Sequence, residues 1–392
     1  MTPNPFVKQY LMTAGPTPVP PAVSQAMAAP MLYHRAPAFV EIYERVLAKL
    51  PHVFQTENPV LTFAASGSGA MESAVANLVA PSQTALVCAA GKFGERWIEL
   101  VKAYGGQALP YEPGWGARLD PAEIDRLLSE NGDVELVFAT LSETSTGIVH
   151  DVAAIAEVAR GHDALLVVDA VSGLGAAELR QDDWGIDVVV AGSQKALMCP
   201  PGLGFASVSP RALEYAEARR GGRYFFDWGK TAKAQAKGNS AFTPPVPLFL
   251  GLDIALDMIR EEGLEDVWAR HDLLARATRA GAAALGLDVY GDADERSTVV
   301  TAVDLPDSID GGKVPGALRK LGITANGGQE QLKGRILRIA HCGYFGAFDI
   351  LTSLSGLEMV LAQLGHDLEL GAGVGAAQRV FVEAGVVAAP AG

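Results

Sequence analysis

Lys195 and Asp169 are the residues best placed to do chemistry in this chain. Lys195 lies in Gly192-Ser193-Gln194-Lys195-Ala196-Leu197, just after the apolar run Val188-Val189-Val190. Asp169 ends a second apolar run, Leu165-Leu166-Val167-Val168. Taken singly, a loop lysine is usually a solvated surface residue, and an aspartate after a strand is usually a turn or cap residue. Together they form a different pattern. A free lysine titrates at about 10.4, so an amine that attacks a carbonyl near neutral pH must be buried or crowded by charge. A carboxylate at a nearby strand end can keep a basic ring nitrogen protonated. Pyridoxal 5'-phosphate (PLP), an aldehyde on a pyridine ring, uses both: a lysine Schiff base and an acidic partner for its ring nitrogen.

Other segments offer matching contacts. Ser66-Gly67-Ser68-Gly69 follows the run Val60–Phe63 and opens a helical pattern. Small residues there let the backbone approach a phosphate, and the free N–H groups of a helix start favour an anion. No Gly-Lys-Ser/Thr follows, so this is not a P-loop, and Glu72 occupies the third glycine position of a dinucleotide fingerprint. Phe93, in Gly91-Lys92-Phe93-Gly94-Glu95-Arg96-Trp97, follows the next strand, where a ring stacks on a planar cofactor or packs in the core. Hydroxyls in Ser142-Glu143-Thr144-Ser145-Thr146-Gly147 either bind a ring oxygen or phosphate, or cap the next turn. Arg338 is an isolated charge in Ile336-Leu337-Arg338-Ile339-Ala340, so it is either ion-paired or faces a cleft and binds a substrate carboxylate. His341 and Cys342 are given no role.

The elements that must position these residues alternate. Strands are expected at Val60–Phe63, Ala85–Cys88, Val134–Ala139, Leu165–Asp169, Val188–Ala191 and Gly204–Val208, with helices at 69–80, 94–104, 120–130 and 151–161. Asp120, Pro121 and Glu123 mark a helix start. The order predicts an α/β fold with a largely parallel sheet, which binds ligands beyond the carboxyl ends of its strands. Residues 11–21, rich in Pro and Gly, read as an ordered arm, and 38–50 as a helix. Residues 221–247, with Gly221-Gly222 and a Lys-rich stretch at 230–237, read as a long connection on a surface or subunit contact. A long helical region over 247–285 follows. Strands at Thr298–Leu305 and Ile336–Ala340 with helices near 313–321 and 349–364 form a second, smaller α/β unit, and the Ala/Gly-rich tail from 370 is expected to be weakly ordered.

At 392 residues and 49% hydrophobic content the chain can bury a large core in two or three domains. A net charge of −14 argues against nucleic acid and anionic membrane as partners. Three widely spaced cysteines, Cys88, Cys199 and Cys342, carry no metal motif and read as reduced thiols of a cytoplasmic protein. Met1-Thr2-Pro3-Asn4-Pro5 does not resemble a signal peptide, and no apolar run is long enough for a membrane span.

On these motifs the chain resembles the class V (fold type I) PLP-dependent aminotransferases, in the alanine–glyoxylate, serine–glyoxylate and serine–pyruvate branch. The likeness runs from Gly15-Pro16-Thr17-Pro18-Val19-Pro20 and His34-Arg35-Ala36-Pro37 through Ser66–Glu72, Glu143–Gly147 and Asp169-Ala170-Val171-Ser172 to Gly192-Ser193-Gln194-Lys195 and Pro200-Pro201-Gly202. It implies a large PLP-binding domain (26–262) with a mostly parallel seven-stranded sheet, a small C-terminal domain (263–392) and an N-terminal arm (1–25). It also implies roles: Lys195 as the Schiff-base lysine and proton shuttle, Asp169 on the ring nitrogen, Val171 and Phe93 on the two ring faces, and Thr144 on the ring hydroxyl. Ser66, Gly67, Ser68 and Gln194 would hold the phosphate, Thr243 would reach a neighbouring subunit's phosphate, and Arg338 would bind substrate carboxylate. No metal is implied. The expected activity is ping-pong transfer from alanine or serine to glyoxylate or pyruvate by a homodimer with shared active sites. Some relatives carry Tyr where this chain has Ser240, three residues before Thr243. Two other readings share the motifs: an accessory subunit of a soluble hydrogenase, and a cysteine desulfurase-like lyase, for which Cys342 would be the attacking thiol.

Overall fold

The expected apolar runs become neighbouring strands of one sheet in the computed structural model, which describes residues 7–219, 222–292 and 296–386. Across the seven-stranded sheet the order is Val60–Phe63, Gly204–Val208, Val188–Gly192, Leu165–Asp169, Leu136–Thr140, Thr84–Cys88 and Gln107–Tyr111. Gly204–Val208 runs antiparallel to both neighbours, and every other adjoining pair is parallel. All strands but that one therefore point the same way, and their carboxyl ends gather along one edge. The central strands read as unbroken apolar runs because both faces are covered. Val137, Val168 and Val189 pack in one layer with the helix Pro37–Phe54, while Leu136, Val167 and Val188 pack in the other with Trp97 and Trp228.

The strand Gln107–Tyr111 lay outside the expected set. It carries Pro110 and sits at the sheet edge, where a missing backbone N–H costs least. The expected helices appear at Gly67–Leu78, Lys92–Ala103, Pro121–Glu130 and Val152–Gly161. Asp120 caps the third of these, its side chain accepting from Ala122 N at 2.9 Å.

Three expectations need correction. The region 221–247 is not all connection: Trp228–Gln235 is a helix, with Trp228, Thr231 and Gln235 buried along one face and Lys230 and Lys233 exposed on the other. The lysines that suggested a loop are its solvent side. The stretch 247–285 is two helices, Val246–Glu262 and Leu264–Ala284, broken at Gly263 with φ 89°. The tail holds a helix, Ala372–Glu383, that packs on Leu264–Ala284. Its small residues allow close approach, since a Cβ on Gly373 would lie 2.9 Å from Gly281 O. Met1–Pro5, Gly221 and the end of the tail beyond 386 lie outside the described residues.

The strands Val300–Asp304, Ile336–Ala340 and Asn326–Gly327 form a small antiparallel sheet. The N-terminal segment joins this region too: Tyr10–Leu11 pairs in parallel with Ile323–Thr324. From there the chain turns toward the carboxyl edge of the large sheet.

Candidate active site

Strand register sets the site. Asp169 pairs with Val190 at adjoining strand ends, and the chain leaves the second of these strands at Gly192 and turns into Lys195. The N-terminal segment clamps this turn: Thr17 N donates to Gln194 O at 3.1 Å and Thr17 Oγ1 to Lys195 O at 2.9 Å. Lys195 Nζ donates to Ala14 O at 2.6 Å. Gly15 lies so close that a Cβ there would fall 2.4 Å from Nζ, which only glycine avoids.

A cavity of about 280 Å³ opens here. It brings together Lys195, Asp169, Val171, Gln194, Phe93, Ser66, Gly67 and Ser68. Burial pushes the Lys195 amine below its ordinary value, and the positive charges of Arg338 and Arg96 add to this against the pull of Asp169. Asp169 is 3% exposed, and burial pushes its carboxyl up to about 6. The backbone N–H of Val171, 2.8 Å from Oδ1, works the other way. Each group thus leans toward its neutral form, as expected where neither touches an opposite charge directly.

Thr144 and Arg338 are not among the residues lining this cavity; Thr144 is buried and its Oγ1 has no hydrogen-bond partner among the described residues, and Gln194 Oε1 is buried and equally alone. Arg338 is 8% exposed and donates to two carbonyls, Gly327 O at 2.9 Å and Thr144 O at 3.0 Å. No carboxylate among the described residues forms an ion pair with it, so the guanidinium keeps its charge for another partner. Thr243 lies elsewhere. It lines a cleft with Ser240, Phe242 and Thr62, beside the exposed Met31 and Tyr33.

Three contributors escaped the sequence reading. Ala14 supplies the lysine's carbonyl acceptor. Arg96 lines the cavity. Glu143, 1% exposed, accepts from Phe93 N, Gly94 N, Ser145 N and Ser145 Oγ at 2.6 to 3.0 Å. It therefore caps the helix bearing Phe93 and sets that ring's position, and burial pushes its carboxyl upward against those hydrogen bonds. The sequence signal was the carboxylate itself, inside a stretch read only for its hydroxyls. His341 is structural: it is fully buried, bonded to Thr298 O and Thr301 Oγ1, and driven down to about 3 by burial.

Known proteins share this chain's sequence pattern and fold. The profile of the family described as aminotransferase class-V matches residues 9–339. A soluble hydrogenase 42 kDa subunit of Anabaena cylindrica is 41% identical over 95% of this chain and 99% of its own. A serine–glyoxylate aminotransferase of Methylorubrum extorquens is 35% identical over 96% of each chain. The crystal structure of a ureidoglycine–glyoxylate aminotransferase from Bacillus subtilis superposes with a TM-score of 0.91 at 31% identity, covering 97% of this chain and 99% of that one. Proteins of this kind normally use PLP. By sequence, by fold and by a lysine and an aspartate meeting at the carboxyl edge of a mostly parallel sheet, this chain belongs to the class-V aminotransferase family.

Proposed function

We propose that this protein moves an amino group from a small amino acid, alanine or serine, to glyoxylate or pyruvate, using PLP. The observation that carries this reading is Lys195 Nζ, buried at a cavity wall with a depressed pKa beside the carboxyl of Asp169. The residues present suit the cofactor. Among the described residues Thr144 Oγ1 and Gln194 Oε1 are buried polar atoms without partners, and Asp169 is buried with a single backbone donor. Gly67 gives the backbone a close approach at the helix start, where a Cβ would strike Val171 at 2.7 Å.

In this reading Asp169 holds the ring nitrogen, Val171 and Phe93 pack on its two faces, and Thr144 meets the ring hydroxyl. Ser66, Gly67, Ser68 and Gln194 hold the phosphate. PLP, when bound, supplies an aldehyde that links to amines and a protonated ring that draws electrons from the donor's α-carbon. Lys195 Nζ, as a neutral amine, takes the donor's α-proton and returns it, and burial shifts the amine toward that neutral form. Arg338 pairs with the carboxylate common to amino and keto acids, so one site serves both halves of a ping-pong cycle.

The proposal extends to assembly. Thr243 borders exposed Met31 and Tyr33, with Tyr224 and Phe225 also exposed, and an apolar surface of this kind suits a homodimer in which Thr243 reaches the partner's phosphate site. We divide the chain into an arm (1–25), a large cofactor-binding domain (26–262) and a small domain (263–392). The three free cysteines are all buried, which fits a reducing cytoplasm, and among the described residues no helix is long and apolar enough to cross a membrane.

The test is a panel of amino donors, each offered with glyoxylate and with pyruvate, with the keto acid formed from the donor as readout. Alanine or serine should be the best donor. A faster aspartate or branched donor would replace the substrate assignment. The 41% relative named as a hydrogenase subunit favours a second reading, an accessory role in a redox complex. Absence of transamination by the pure protein, with a hydrogenase polypeptide co-purifying, would decide for it. A desulfurase reading fares worse, because Cys342 is fully buried and burial pushes its thiol up to about 11.

Arg338→Ala should raise KM about 10- to 100-fold for amino and keto acid alike, the worth of a charge-assisted hydrogen-bonded pair. Steady-state kinetics with both substrates checks this, and unchanged constants throughout would take Arg338 out of the pocket.

A further inference from the structure

The phosphate cradle just described is electrically incomplete. Ser66, Gly67, Ser68 and Gln194 offer hydroxyls, an amide and backbone N–H groups, none with a full positive charge. Lys195, the nearby amine, is committed to Ala14 O and to the chemistry. A phosphate monoester carries close to two negative charges at neutral pH. Something else has to balance them.

The structure places one more cation at this wall. Arg96 projects from the helix Lys92–Ala103, and its Nη1 donates to Ser68 Oγ at 3.0 Å. Its guanidinium carbon lies 4.9 Å from the centroid of the Phe93 ring, which steadies the planar group. It lines the same cavity as Lys195 and Asp169. Lys92, one turn earlier on that helix, is surrounded by Glu95, Glu99 and Glu330 at 3.6 to 3.7 Å. Arg96 forms no such ion pair with any described carboxylate. An acid-rich protein has thus left one arginine without an acid beside the start of the Gly67–Leu78 helix.

We propose that Arg96 is the cation that balances the cofactor phosphate, held on station by Ser68 and Phe93; this rests on the PLP reading above. A guanidinium suits the task, because its fixed fork of donors matches phosphate oxygens and its charge persists at any working pH. Its position on Ser68 ties it to the phosphate end of the cavity, whereas the substrate carboxylate belongs with Arg338 beside Thr144. The field of Arg96 also reaches Asp169 and Lys195. Neutralising it with a bound phosphate therefore couples phosphate occupancy to both reacting groups.

The experiment compares cofactor-free wild type, Arg96→Ala and Arg96→Lys, each titrated by equilibrium dialysis with PLP and with pyridoxal, which lacks the phosphate. Arg96→Ala should weaken PLP binding about 10- to 100-fold and leave pyridoxal binding unchanged. Arg96→Lys should recover part of the loss, and added salt should narrow the gap between variants. Equal PLP affinity in wild type and Arg96→Ala overturns the proposal. So does an equal loss of PLP and pyridoxal, which marks a general disturbance of the site, and so does unaltered PLP affinity with a raised KM for dicarboxylic donors alone. Wild type that binds neither compound overturns the PLP reading itself.

Discussion

Lys195→Ala is expected to lower turnover with every donor by about 10⁴-fold, the upper range for removing a positioned acid–base group. The folded protein should survive the change. The lysine's pKa is lowered in the folded state, chiefly by burial. A group depressed in this way loses stability for the fold as pH falls below its ordinary value, so at neutral pH the wild type carries a penalty that alanine lacks. Two measurements separate chemistry from collapse. Borohydride reduction in the presence of PLP should attach a pyridoxyl group to wild type at Lys195, and to no residue of the variant, as read by mass spectrometry. Urea unfolding should show a midpoint no lower than that of wild type. A variant that keeps full activity would remove Lys195 from the mechanism.

Asp169→Asn should move activity and stability in opposite directions. The variant keeps an oxygen for the Val171 N–H but no longer carries the negative charge proposed to face the ring nitrogen. A loss of about 10²- to 10³-fold in kcat is expected from removing one such electrostatic contact. Stability follows from the titration. Asp169 is raised by burial from 3.8 to about 6. With the folded value above the unfolded one, the stabilising contribution is complete below pH 3.8 and is lost as pH rises through about 6. The difference corresponds to about 3 kcal/mol. Asparagine does not titrate, so the cofactor-free variant should gain about that much on wild type between pH 4 and pH 7. Urea denaturation of both proteins across this range checks the sign. Parallel curves would mean that Asp169 is solvated in the cofactor-free protein.

Burial that works against the Asp169 carboxylate is what the proposed cofactor role, rather than packing, would call for. The same holds for Arg338, whose alternative reading was a structural ion pair. Its only hydrogen bonds among the described residues go to carbonyls, so the charge is left available.

Sequence alone was enough to place the large sheet's central strands, because burial on both faces leaves continuous apolar runs that no amphipathic element would show. It also determined that a lysine and an aspartate close two such strands, since strand ends are local events. Where local cues misled, tertiary packing had overridden them. Pro110 sits in an edge strand, lysines clothe the outer face of the Trp228 helix, and small tail residues let Gly373 lie against Gly281. Which distant groups gather at the candidate site depends on the fold. Ala14 meets Lys195 across 181 positions, Glu143 reaches back 50 to hold Phe93, and Arg96 settles on Ser68. Those contacts depend on strand order and on where the loops fold back. Spacing along a chain cannot encode them, because the same residues in a differently wound sheet would never meet.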